Sequence, residues 1–443
     1  MKAFSKMVAV LLMFVLLASM VGCGQEENIN ADESGNGEVV LSEAAETSEA
    51  DEMIEISFLN SKNDINDQII SATEKFKEKH PNISINVLST DQSPVERAST
   101  LYASGTPATL VMLDSGDIKR FSDKALDLSG EKWVQDLAQE SLIDGKVLGF
   151  PFAVEGYGLI YNQEVLDKAV GGTFDPSTIN TQDALEDLFK KIQATGVEAL
   201  AIGSMNWSLG NHFLAIAYAT QDGKEVDEVL NELKAGEVKF ADNMAYQGLM
   251  DTFDIMKNYN MAKNDPMAYD YPESLGPVAR GEAGITFNGN WAILEIQKSN
   301  PDGKFGFIPV PISNDGSDPR NNAIAIGSTK QIFIDKEGST QAQQDAAKLF
   351  LDWIVYDQDG QDFMVNEANI VMGFTNVEMI PSSPLAQAIV EYNNAGKSIA
   401  FAGNYVPANH WEVLGATMQK YLVDKIDRET VAQEVEQYWL TVE

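Results

Sequence analysis

The sequence predicts an α/β protein of two lobes, each a mixed or parallel sheet flanked by helices, joined by a hinge. Three observations predict it. From residue 53 onward, strand-like alternation and helix-like spacing take turns in a β-α-β-α-β order, which builds a parallel sheet covered on both faces. About 390 residues follow the N-terminal segments, enough for two domains. No long linker divides them, so two lobes crossed several times by the chain fit better than two independent beads.

The elements follow in order. Lys2 and Lys6 precede an apolar run from Met7 to Leu17, too short to span a bilayer and built like an export signal. It closes on Met20-Val21-Gly22-Cys23, and Cys23 is the only cysteine of the chain. Residues 1–22 are therefore expected to be a signal peptide. Residues 23–52 carry many Asp and Glu among Asn, Ser, Gly, Ala and Thr, without Lys, Arg or aromatics. Such a segment cannot bury enough apolar surface to fold and is expected to be an acidic disordered tether.

Met53 to Leu59 alternates as a strand. Ile65, Ile69, Ala72 and Phe76 recur at helical spacing until Pro81 stops them, and Ile83 to Val87 is a second strand. A helix follows Pro94, Gly105-Thr106-Pro107 breaks it, and Thr109 to Leu113 is a third strand. Further on, Leu185 to Ile192 reads as a helix and Val197 to Ile202 as a strand. Ala283–Phe287, Phe305–Val310, Ala323–Ile326 and Gln331–Ile334 read as further strands. Ala347 to Val355 forms an amphipathic helix, and Val431, Val435 and Tyr438 mark the last one.

The net charge of −36 becomes −38 when Lys2 and Lys6 leave with the signal peptide (−36 − 2). Such acidity argues against nucleic acid and anionic lipid as partners. The patterns of catalysis are missing. His80, His212 and His410 lie far apart with no metal-ligand spacing, so no metal or other cofactor is expected. There is no G-x-S-x-G elbow, and Asn394–Ser398 lacks the first glycine of a phosphate loop because Glu391 stands there. Asp357-Gln358-Asp359-Gly360 lacks the ligand series of a calcium loop and reads as a helix C-terminus.

The candidate site rests on one carboxylate and a set of aromatics. Gly149 to Asn162 is nearly all apolar or small, with Glu155 alone in its middle and Phe152 and Tyr157 beside it. An ionised Glu in such surroundings is expensive unless a cleft needs an acceptor. Trp207, Trp291 and Trp411 each stand in a polar, turn-prone stretch containing Asn, while Trp353 and Trp439 lie in amphipathic helices and, with Trp133, read as core. Sugar rings have apolar faces and polar edges, and flat aromatics with a few placed carboxylates and amides suit them. Asp114 ends the third strand, where open α/β sheets hold ligands, while Asp117 reads as a helix cap.

These segments resemble the extracellular solute-binding proteins that deliver carbohydrates to ABC importers, the maltodextrin-binding branch above all. The resemblance runs from about residue 53 to the C-terminus. Phe152-Ala153-Val154-Glu155 with Leu159-Ile160-Tyr161-Asn162, and Arg280 to Trp291, carry it most strongly. Pro107-Ala108-Thr109 with Leu113-Asp114, and Asn404-Tyr405-Val406-Pro407 with Trp411, add to it. Ser115 stands where the family usually has a basic residue, which leaves the identity of the sugar open. Val-Gly-Cys23 resembles a lipobox, in which Cys23 would be lipidated.

The resemblance implies a periplasmic-binding-protein-like fold of the second type. Its crossovers would fall near 153–158, 322–328 and 371–375. One lobe would comprise 53–155 with 327–372, the other 156–326 with 373–443. Ligand-binding residues would be Asp114, Glu155, Tyr157, Trp207, Asn288, Trp291, Tyr405 and Trp411. The implied partners are a di- or oligosaccharide and ABC permease subunits. The protein would be a monomer held to the membrane by its lipid alone, on a Gram-positive surface or in a periplasm, and would not be an enzyme. Two other classes stay open: a secreted glycoside hydrolase using Asp114 and Glu155, and a sugar-sensing lipoprotein that feeds no transporter. Replacing Glu155 is expected to spare folding, as for any cleft residue.

Overall fold

The computed structural model describes residues 53–90, 93–138 and 142–442. The expected signal peptide, tether and Cys23 lie outside them. Nine strands are described: β1 (Ile54–Asn60), β2 (Ile83–Ser89), β3 (Leu110–Asp114), β4 (Phe150–Asn162), β5 (Glu198–Leu200), β6 (Ala283–Gly289), β7 (Phe305–Ile308), β8 (Ile324–Ile334) and β9 (Ser398–Ala400). They form one mixed sheet in the order β2-β1-β3-β8-β4-β6-β5, with β7 also on β4 and β9 also on β8.

The first three strands pair in parallel, as the alternation predicts. The helix between β1 and β2, Asn66–Lys79, buries Ile69, Ala72, Thr73 and Phe76 on one face. It ends at His80, whose N–H donates to the Phe76 carbonyl, because Pro81 disfavours helical geometry in the residue before it.

Two strands tie the halves together. β8 runs antiparallel to β3, from Leu110 opposite Ile334 to Asp114 opposite Lys330. It also runs antiparallel to β4, from Phe150 opposite Ile332 to Tyr157 opposite Ala325. The β4–β8 register shifts around Ala153, so a bulge bends the ribbon there. A third segment touches the same place, where Val154 and Val371 form a bridge.

The apolar cores change over along these strands. One core gathers Phe58, Phe76, Trp133, Phe150, Phe152, Phe350 and Trp353 and extends along β4 to Ala153. A second takes in Tyr157 and Leu159 with Phe213, Tyr218, Phe253, Met418 and Trp439. On β8, Ala325 belongs to the second core and Ile332 to the first. Trp353 and Trp439 are core residues, as their place in amphipathic helices predicts, and Trp133 is buried as expected.

Two readings of the sequence need correction. Ala323–Ile326 and Gln331–Ile334 are not separate strands: one strand, β8, runs unbroken from Ile324 to Ile334, and Ala323 stands just before it. The polar Ser328-Thr329-Lys330 between them masks the pattern, yet it stays extended because β4 and β3 pair with it. Asp357 does end the helix Gln341–Tyr356, but its carboxylate then accepts from the Asp359 N–H and starts a further short helix. Among the described residues no helix is long and apolar enough to cross a membrane, and no cluster of three His, Cys, Asp or Glu could hold a metal.

Candidate functional site

A cavity of about 380 Å³ is lined by residues that follow β1 and β3, by Glu155 of β4, by Thr329 and Lys330 of β8, and by Trp207, Trp291 and Trp411. One wall is charged. Glu155, on β4 opposite Gly327, is 6 % exposed and accepts from Lys62 at 2.7 Å and from the Thr329 hydroxyl. Lys62, just past β1, also meets Asp64 at 2.9 Å. Burial pushes the Lys62 pKa down, but the Glu155 and Asp64 carboxylates outweigh it and hold the ammonium above its usual range. At the end of β3, Asp114 pairs with Lys330 of β8 at 2.5 Å.

Asp117 stands in the helical turn after Asp114. It lines the cavity, and its pKa is raised to about 6 by burial and by the Asp114 charge, against the pull of Arg120 and Lys330. It makes no capping hydrogen bond. The expected cap is thus a partly buried carboxyl that lines the cavity.

The opposite wall is aromatic. Trp207 begins a π-helical turn, Ser208–Leu214, which packs against the helix His410–Leu422. Backbones meet at Gly210 and Gly415, where a Cβ on Gly210 would lie 2.7 Å from the Gly415 nitrogen. That approach sets Trp207, Asn211 and His212 beside Trp411, and all four line the cavity. Trp291 follows β6, and its ring folds directly over Gly289, leaving no room for a side chain there. Its centroid lies 6.3 Å from Trp207 and 5.1 Å from His212. The His212 ring is stacked on Tyr157 at 4.7 Å and edged by Phe401 at 5.4 Å. Burial lowers its pKa to about 3, so it is a neutral, flat member of the wall.

Five of the eight expected ligand residues therefore meet at one cavity: Asp114, Glu155, Trp207, Trp291 and Trp411. Three do not line it. Tyr157 is 1 % exposed because His212 covers its ring. Asn288 is equally buried, its oxygen turned back to the Gly289 N–H. Tyr405 lines a neighbouring cavity of about 240 Å³, beyond Phe401 and Asn404. Glu155 also proves to be part of a buried ion pair, so its loss must burden folding as well as binding.

Sequence reasoning missed Lys62, Asp64, Asn211, His212, Thr329 and Lys330. The lysines carry no local signal, because each reaches a carboxylate far away in sequence. His212 and Asn211 follow Trp207 closely enough that a helical turn there could have suggested a shared face.

Flat aromatic faces opposite fixed charges suit a ligand with apolar faces and hydroxylated edges. A model of the bacterial extracellular solute-binding protein family matches residues 62–360. This chain belongs to that family. Among similar proteins, the melibiose/raffinose/stachyose-binding protein MelE of Bacillus subtilis is 22 % identical over 71 % of this chain and 72 % of its own length. The multiple sugar-binding protein of Streptococcus mutans is 21 % identical, over 63 % and 66 %. The solved structure of RafE in complex with raffinose superposes with a TM-score of 0.72 over 87 % of this chain and 99 % of that one, at 20 % identity. A Bacillus licheniformis sugar transporter in complex with stachyose gives 0.67 over 88 % and 100 %, at 18 %. The two-lobed fold of these solute-binding proteins is the fold of this chain.

Proposed function

We propose that this solute-binding protein captures an oligosaccharide between its lobes and hands it to the permease subunits of an ABC importer. The observation that carries the reading is the convergence of Trp207, Trp291 and Trp411, from three separate segments, on one wall facing Glu155 and Asp114. Relatives named for raffinose, stachyose and other sugars support the ligand class. The core changeover along β4 and β8 supports lobes of 53–155 with 327–372 and 156–326 with 373–443. Sugar would touch both walls only when they approach, so it favours the closed form, and the permease reads the population shift.

The protein binds and does not cleave. Asp114 and Glu155, the pair a hydrolase would use, are each committed to a lysine. The mature chain acts as a monomer outside the cytoplasm, with Cys23 as its lipid anchor; a Cys23→Ser variant should appear in the medium or stay unprocessed.

Calorimetric titration with raffinose, stachyose, melibiose and maltotriose, beside a peptide and a polyamine, tests the main reading. Saturable binding of at least one sugar, without release of reducing ends on long incubation, is expected. Binding of the peptide or polyamine alone, or time-dependent cleavage, overturns it.

A further inference from the structure

A chain of buried hydrogen bonds runs from the second core to the cavity wall. The Trp439 indole N–H donates to the Tyr218 hydroxyl at 3.1 Å. That hydroxyl lies 3.1 Å from His410 Nε2. His410 Nδ1 lies 2.8 Å from Asn211 Oδ1, and Asn211 lines the cavity. Tyr218 and His410 are fully buried, and burial holds the His410 imidazole neutral, its pKa lowered to about 3.

Only one arrangement of protons satisfies every member. An indole N–H can only donate, so the Tyr218 oxygen accepts from Trp439. Its own hydrogen then needs an acceptor, and among the described residues the only one within reach is His410 Nε2. With Nε2 accepting, the proton of the neutral ring sits on Nδ1 and donates to the Asn211 oxygen. The reverse arrangement, with Asn211 donating to Nδ1 and Nε2–H donating to Tyr218, strands the Tyr218 hydrogen in a dry core, where an unmade hydrogen bond is expensive.

We infer that this relay fixes the Asn211 amide with its NH₂ toward the cavity, making Asn211 a dedicated donor to an acceptor oxygen of the bound sugar and His410 the residue that aims it. The aromatic wall would otherwise offer little but ring faces. A hydroxyl, ring or glycosidic oxygen resting against Trp207 and Trp411 finds its donor at Asn211. The inference rests on the sugar-binding reading for the ligand, but the orientation of the relay stands apart from it.

Two arms keep those failures apart. In protein labelled with nitrogen-15 histidine, long-range proton–nitrogen correlations should show His410 protonated on Nδ1 and bare on Nε2, the signal being assigned by its loss in His410→Gln. Protonation on Nε2 overturns the relay whatever the protein binds. In the second arm, raffinose and stachyose are titrated into Asn211→Asp, which keeps an acceptor for His410 and turns the cavity donor into an acceptor. Affinity should fall about tenfold or more with the melting temperature kept. Unchanged affinity overturns the donor role. Tyr218→Phe should weaken binding several-fold in the parent but not in an Asn211→Ala background; equal loss in both would make Tyr218 merely structural. If neither sugar binds the parent, the raffinose-type reading fails and the tautomer alone decides the orientation.

Discussion

The two walls of the cavity are built on opposite plans. One side is a network of ion pairs, Lys62 with Glu155 and Asp64, and Lys330 with Asp114. The other side is rings held by backbone: Trp291 over Gly289, and Trp207 and Trp411 where Gly210 meets Gly415. Rings of this kind are preorganised and keep their place whether or not a ligand is present. Charges already paired share their acceptor sites between partner and ligand. The difference predicts that damage to the charged wall appears in stability and binding together, and damage to the aromatic wall in binding alone.

The largest effect should come from Glu155→Gln. It leaves the buried Lys62 with Asp64 as its remaining carboxylate, so urea denaturation should show a loss of about 3 kcal/mol, the low end for breaking a buried pair. Sugar affinity should fall as well. Wild-type stability in this variant would show that the charged wall is not a structural network.

Trp291→Ala is the counterpart. Loss of a stacking face should weaken sugar binding by about 2–3 kcal/mol, roughly 30- to 150-fold, with little change in the melt. A lower melting temperature with normal affinity would erase the contrast between the walls.

Asp117 sharpens it through pH. Its pKa rises from 3.8 to about 6 in the folded protein, so the folded state holds the proton more tightly than the unfolded one. The penalty is absent where both states are protonated, grows as pH climbs from about 4 to 6, and is complete above that. Asp117→Asn should therefore match the parent near pH 4 and be more stable by about 1–3 kcal/mol at pH 8, measured by thermal melts at both. A stabilisation that is equal at both pH values would exclude a titrating carboxyl.

The smallest effect belongs to Lys330→Ala. Asp114 is 58 % exposed on its side chain, so this pair should contribute less than about 1 kcal/mol, and added salt should shrink that further. A loss as large as that of Glu155→Gln would mean the whole charged wall is equally dry.

What was legible in the sequence follows the same division. The helix Asn66–Lys79 and β1 to β3 show in it because burial and periodicity coincide there. The tryptophans of the site stood out because each breaks a polar, turn-prone stretch, unlike Trp353 inside a helical repeat. Lys62 and Lys330 did not, since their partners Glu155 and Asp114 lie 93 and 216 residues away and such distant pairs leave no local trace. Tyr157 misled for the reverse reason: it neighbours Glu155, but only the fold reveals that His212 lies on top of it. β8 was split in two because the residues it lends to the cavity, Thr329 and Lys330, interrupt the apolar alternation of a buried strand.

β8 also governs the order in which the molecule can assemble. β3 and much of β4 lie early in the chain, but the strand between them, Ile324–Ile334, lies far downstream. A chain free to fold only up to Asn300 still holds β3 without its antiparallel neighbour and β4 with a bare flank. Pairings this distant in sequence are slow to form and leave strand edges open while they wait. Neither half can therefore mature on its early residues alone. Both should become protease-resistant in one late step, after Ile334 has emerged.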